Sequence, residues 1–114
     1  MTFEEAVTFA LTLPGTERST SYGQPAVKVA ANGRAFLYPS HEADTSFAVA
    51  MGRDAIELLK ATEPETYWQT PHYEGWEGVL VRYDSPDEDR VRDTIVRARE
   101  FAAAKPKVRP RKKK

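Results

Sequence analysis

A chain of 114 residues with 40% hydrophobic side chains is long enough for one core, and the absence of cysteine excludes disulfides, thiolate metal sites and thiol catalysis. The formal charge is zero, 17 basic against 17 acidic side chains, yet seven of the basic ones fall within 105–114 and leave the first 104 residues at −7. A polyanion would be drawn to that end and repelled, on average, by the rest, while no apolar run approaches the roughly 20 residues that cross a bilayer.

Thr2 and Glu5 form a capping box, and Phe3, Ala6, Val7, Ala10 and Leu11 recur at helical spacing, which predicts a helix over 3–12. Pro14 and Gly15 end it, and the polar run 16–25 reads as irregular. The runs 26–30 and 34–38 flank Asn32-Gly33, a tight-hairpin signal because both residues tolerate positive φ, so two antiparallel strands are expected there. Alternation puts Val27 and Val29 on one face and Lys28 on the other, and leaves the side taken by Phe36 open.

Residues 39–45 read as a loop and 46–50 as a strand. The run 53–60 reads as a short helix with Ile56, Leu59 and Leu58 as its inward candidates. A strand over 66–69, a loop over 70–77 and a strand over 78–83 follow. Ser85, Pro86 and Glu88 mark the start of a last helix whose apolar stripe is Val91, Ile95, Ala98 and Phe101 or Ala102, ending near Ala104. The order α-β-β-β-α-β-β-α predicts an α+β domain over 1–104, a mostly antiparallel sheet with helices on one face.

Five pieces of the chain stand in a familiar order: Leu13-Pro14-Gly15-Thr16-Glu17, the run from Ser21-Tyr22-Gly23-Gln24-Pro25 to Val29, Gly33-Arg34-Ala35-Phe36, Thr70-Pro71-His72-Tyr73-Glu74-Gly75, and Val79-Leu80-Val81-Arg82. Together they resemble the MmcQ/YjbR family over about residues 3 to 104. The resemblance implies a compact double-wing fold similar to that of the bacterial frataxin homologue, and DNA binding. Arg34 stands where many members carry Lys, and the basic end is not part of the family pattern.

Lys28 and Arg34 lie on the two arms of the expected hairpin, where a pair of cations can meet phosphates; the alternative is a solvated outer sheet face. Lys105, Lys107, Arg109, Arg111, Lys112, Lys113 and Lys114 form a tail, interrupted by Pro106 and Pro110, that is expected to be disordered when free and to bind phosphates without reading sequence. Arg18 and Arg82 are candidates to extend the patch.

The loop holding Pro71, His72, Tyr73 and Trp76 is a candidate binding loop. His72 suits a general base or a ligand, or a ring that holds the loop's path through backbone hydrogen bonds. Tyr22, Trp68, Tyr73 and Trp76 suit stacking on bases or covering the edge of a core. His41, Glu42 and Asp44 sit together on a polar loop that lacks the rigid spacing of a metal site, and the carboxylates Asp84, Asp87, Glu88, Asp89 and Asp93 suit a helix N-terminus.

No Gly-rich phosphate loop, nucleophile elbow or His-Glu-x-x-His helix occurs, so neither a catalytic residue nor a cofactor or metal is expected. Met1 to Glu5 holds no basic stretch followed by an apolar run, and a cytoplasmic monomer is expected. The expected partner is DNA, the competing one a protein or small molecule bound on the sheet face and the 70–77 loop.

Overall fold

The computed structural model describes residues 1–21, 23–40, 44–71 and 73–107. Helices α1 (Phe3–Ala10), α2 (Arg53–Thr62) and α3 (Glu88–Ala103) pack on a sheet of six strands: β1 (Thr16–Ser21), β2 (Gln24–Val29), β3 (Ala35–Pro39), β4 (Ser46–Ala50), β5 (Tyr67–Trp68) and β6 (Gly78–Arg82). The strand order is β1-β2-β3-β4-β6-β5 and every neighbouring pair is antiparallel. The α+β class read from the sequence is the class of the molecule.

One strand more is present than the residue pattern suggested. The run 16–25, read as irregular, supplies β1 and the start of β2, with Thr16 opposite Val29 and Ser21 opposite Gln24. Its side chains are too polar to signal burial, and the strand exists through backbone pairing with β2.

Helix α1 begins as expected: the Thr2 hydroxyl accepts from the Glu5 N–H, and the Glu5 carboxylate accepts from the Thr2 N–H. The last helix starts later than Ser85 and Pro86 implied. Asp87 is the N-cap and accepts from the Arg90 N–H, whereas the Ser85 hydroxyl lies 3.1 Å from that of Thr66. Asp89 and Asp93 then pair with Arg92, Arg90 and Arg97, which makes this acidic turn a structural feature.

The register sorts the sheet into two faces. Val27, Leu37, Val49 and Val79 are aligned across β2, β3, β4 and β6, and Phe47, Val81 and Tyr67 follow on the same side. This face meets Val7, Ile56, Leu59, Val91, Ile95 and Ala98 from the helices in the main core. Phe36, whose side the sequence left open, is also fully buried there, next to a register shift between Val27 and Lys28. Leu58, a candidate for the inward face of α2, points outward and is 63% exposed. The phenol of Tyr67 and the hydroxyl of Thr94 lie 2.6 Å apart, so this buried polar pair is satisfied within the core.

The opposite face carries a smaller cluster of Ala48, Leu80 and Tyr73, with Tyr38 and Trp68 against it. Tyr73 belongs to the 70–77 connection, which therefore folds back over the sheet. The side-chain amide of Gln69 fixes that path by donating to the carbonyls of Tyr73 at 3.0 Å and Gly78 at 2.8 Å.

Candidate functional site

The hairpin and the end of α3 meet far from each other in sequence. Val29 N–H donates to the Arg34 carbonyl and Gly33 N–H to the Val29 carbonyl, so the turn spans 30–33 and is wider than a two-residue link. Gly33 takes the positive φ of 74° that the turn requires. Asn32 is buried, and its amide donates to the carbonyls of Ala102 at 2.7 Å and Lys105 at 3.1 Å, while its Oδ1 accepts from the Arg34 N–H. One side chain thus locks the turn to the C-terminal end of α3.

Arg34 extends this junction. Its Nε–H donates to the carbonyl of Pro106 at 2.8 Å, and no carboxylate pairs with it among the described residues. The terminal guanidinium nitrogens make no other hydrogen bond among those residues. An arginine held through Nε with its fork unoccupied is oriented for an incoming oxyanion.

Lys105 and Pro106, grouped with the free tail by composition, run against the body here. Lys105 Nζ lies 2.7 Å from the Glu77 carboxylate and 4.7 Å from the centre of the Phe101 ring, so its charge is largely spent within the fold. Lys107 is exposed. Arg109, Arg111, Lys112, Lys113 and Lys114 lie outside the described residues.

Between these groups opens a pocket of about 250 Å³ lined by Arg34, Tyr38, Trp76, Glu77, Phe101 and Lys105, among others. Tyr38 forms part of its wall. Burial pushes the Tyr38 phenol up to about 12, with Tyr73 adding to the effect, so the wall is neutral. The Tyr38 hydroxyl stands 2.8 Å from the point a Cβ on Gly78 would occupy, which is why β6 starts on a glycine. Trp76 is 53% exposed, and its ring meets Tyr73 edge-on at 6.2 Å between centroids.

The other hairpin cation is situated differently. Lys28 is paired with Glu17 across β1 and β2 at 3.3 Å, so the ribbon is neutralised on that arm. The expected Lys28–Arg34 pair is therefore not an isolated patch of positive charge; Arg34 faces the tail root and Lys28 faces a carboxylate. Of the two extensions considered, Arg82 lies over the Trp68 ring at 3.9 Å, and Arg18 is exposed on β1.

The 70–77 loop divides in the same way. Tyr73 is buried, and Pro71 and Trp76 are exposed. Tyr22, His41, Glu42 and His72 lie outside the described residues, and those that are described contain no group of acidic or imidazole side chains arranged to hold a metal. No described helix is long and apolar enough to cross a membrane.

Asn32, Glu77 and Phe101 were not among the candidate site residues of the sequence, where Phe101 was read only as part of the last helix's apolar stripe. Asn32 carried a signal, as half of a turn dipeptide, but the signal concerned the backbone and not its buried amide. Scans against protein-family models, curated proteins and solved structures found no match to this chain.

Proposed function

We propose that this chain is a non-enzymatic nucleic-acid-binding protein that holds phosphates weakly and largely without reading sequence. Arg34, Lys107 and the tail cations Arg109, Arg111, Lys112, Lys113 and Lys114 supply the charge. The observation that carries the reading is the 2.8 Å hydrogen bond from Arg34 to Pro106, which sets the start of a strongly basic segment beside an arginine that no carboxylate pairs with among the described residues. Cations concentrated at one end of an acidic body give a phosphate-binding edge that an even distribution would lack. The resemblance to the MmcQ/YjbR family supports the same reading. Lys28 and Lys105 contribute little, since each is already paired with a glutamate.

The test is an anisotropy titration of labelled DNA with the full chain and with a chain ending at Lys107, at low and moderate salt. The full chain should bind with a dissociation constant of roughly 10⁻⁴ to 10⁻⁶ M at physiological salt, more tightly at low salt, and truncation should remove most of the affinity. Equal binding by the two chains would place the phosphates elsewhere.

A second reading, a small-ligand or protein-interaction module, is favoured by the pocket, whose walls include Tyr38, Phe101 and Trp76 as well as charged groups. Binding of neither single-stranded nor duplex DNA by the full chain would move the assignment to that class.

A further inference from the structure

We infer that Arg99 is a second phosphate contact, which with Arg34 brackets the 30–33 turn, so that the folded body and not the tail alone fixes where a nucleic-acid backbone lies. This rests on the nucleic-acid reading above and specifies which groups of the body meet the phosphates.

The two arginines are held in the same way. Arg99 Nε–H donates to the carbonyl of Pro14 at 2.9 Å, as Arg34 Nε–H does to that of Pro106, and no carboxylate pairs with either among the described residues. Both are half-buried and tied at Nε, so ordering their forks on a ligand costs little. The other arginines of α3 are engaged: Arg90 by Glu63, Arg92 by Asp89 and Arg97 by Asp93. Glu100 follows Arg99 directly, and adjacent helix positions do not face each other.

A ring of contacts puts the pair at one end of the molecule. The turn after α1 sends the Pro14 carbonyl to Arg99 and the next one, that of Gly15, to the Ala30 N–H at 2.8 Å. From Ala30 the chain runs to Asn32, whose amide returns to Ala102 of α3, three positions beyond Arg99. Arg99 thus stands on the β1 side of the 30–33 turn and Arg34 on the side of the tail root. A terminal nitrogen of Arg99 lies 3.7 Å from the point a Cβ on Gly15 would occupy, so no side chain at that position screens the fork. Two neighbouring carboxylates are already spent, Glu17 on Lys28 and Glu77 on Lys105. A polyanion lying across the turn meets one fork on each side, where a guanidinium can take two phosphate oxygens at once, and then the cations that follow Pro106.

The experiment titrates a labelled duplex with the full chain over a series of salt concentrations. Arg34→Ala and Arg99→Ala should each lower the slope of log affinity against log salt by about one, and the double variant by about two. Arg97→Ala removes the same formal charge from the same helix but from an ion pair, and should leave the slope unchanged. Arg99→Lys should keep the wild-type slope, because an ammonium displaces a counterion as a guanidinium does. A slope reduced as much in Arg99→Lys as in Arg99→Ala would assign Arg99 to pinning the turn at Pro14 and overturn the inference, as would equal losses from Arg97→Ala and Arg99→Ala. If Arg99→Ala changes nothing while truncation at Lys107 still weakens binding, the inference falls and tail-mediated phosphate binding stands. If the full chain does not bind at any salt concentration, both readings fall together.

Discussion

The side-chain amide of Asn32 donates to the carbonyl of Ala102 across 70 positions of sequence, at 2.7 Å and out of contact with water. The same amide reaches Lys105, and the side-chain oxygen accepts from the backbone of Arg34. The turn between β2 and β3, the end of α3 and the root of the basic segment are thus joined through one residue.

Asn32→Ala should therefore destabilise the fold by about 1–3 kcal/mol, because it removes three hydrogen bonds at the junction and leaves the partly buried Lys105 carbonyl and Arg34 N–H without the amide that meets them, while the Ala102 carbonyl keeps the Lys105 N–H. Denaturant unfolding is the measurement. A midpoint within error of wild type would mean that water replaces the amide freely and that the junction is not closed.

Gly78→Ala should cost about 1–3 kcal/mol, since the new methyl group meets the Tyr38 hydroxyl and the ring must shift within a packed cluster. The Tyr38 ring carbon behind that hydroxyl is 3.9 Å away and the nearest backbone oxygen 3.8 Å, both ordinary contacts. In a Tyr38→Phe background the same substitution should be nearly neutral. Unfolding free energies of the two single variants and the double variant give the coupling directly; an additive cycle would contradict the assigned collision.

Stability should fall in alkali. Burial raises the phenol of Tyr38 to about 12 from an ordinary 10.0, and Tyr67 and Tyr83 are raised for the same leading reason. Between those values the unfolded chain has released a proton that folded Tyr38 still holds, so raising the pH favours the unfolded state. This contribution is intact below pH 10.0 and is lost as the pH climbs towards about 12. Denaturation midpoints across that window should decline, and less steeply in Tyr38→Phe. A flat profile, or an equal decline in the variant, would remove Tyr38 as the cause.

Lys28→Ala should weaken DNA binding less than Arg34→Ala does. The ammonium of Lys28 is held by Glu17 and the guanidinium of Arg34 by a neutral carbonyl, so among the described residues Arg34 is the one of the two whose charge no carboxylate compensates. Its loss should leave the stability within about 1 kcal/mol, as expected for an exposed ion pair. Anisotropy titrations of both variants at one salt concentration decide the order, and a larger loss from Lys28→Ala would restore the hairpin ribbon as the contact surface.

Local signals made most of the fold legible. Strand β4 coincides with the run 46–50, and the capping box at Thr2 and Glu5 operates as its spacing suggested, because each depends on neighbours a few residues away. Strand β1 was hidden because an edge strand can present hydroxyls and charges to solvent and still pair through its backbone. The start of α3 was misplaced because Ser85 turned to Thr66, a partner on β5's approach that no local pattern reveals. The site was the least legible part: Arg34 was named for its charge, but its junction with Pro106 spans 72 positions, and the partition of Lys28 and Lys105 into glutamate pairs depends on which strands and loops become neighbours.

The order of the strands also decides how other chains can approach. The two rims of the sheet are β1, which carries Glu17 and Arg18 among hydroxyl side chains, and β5, which is only two residues long. A charged rim and a truncated one are poor templates for an incoming extended peptide. Recruitment by backbone annealing is thereby disfavoured on either flank, as is stacking of copies into fibrils, and association is left to side-chain chemistry at the ends of the strands.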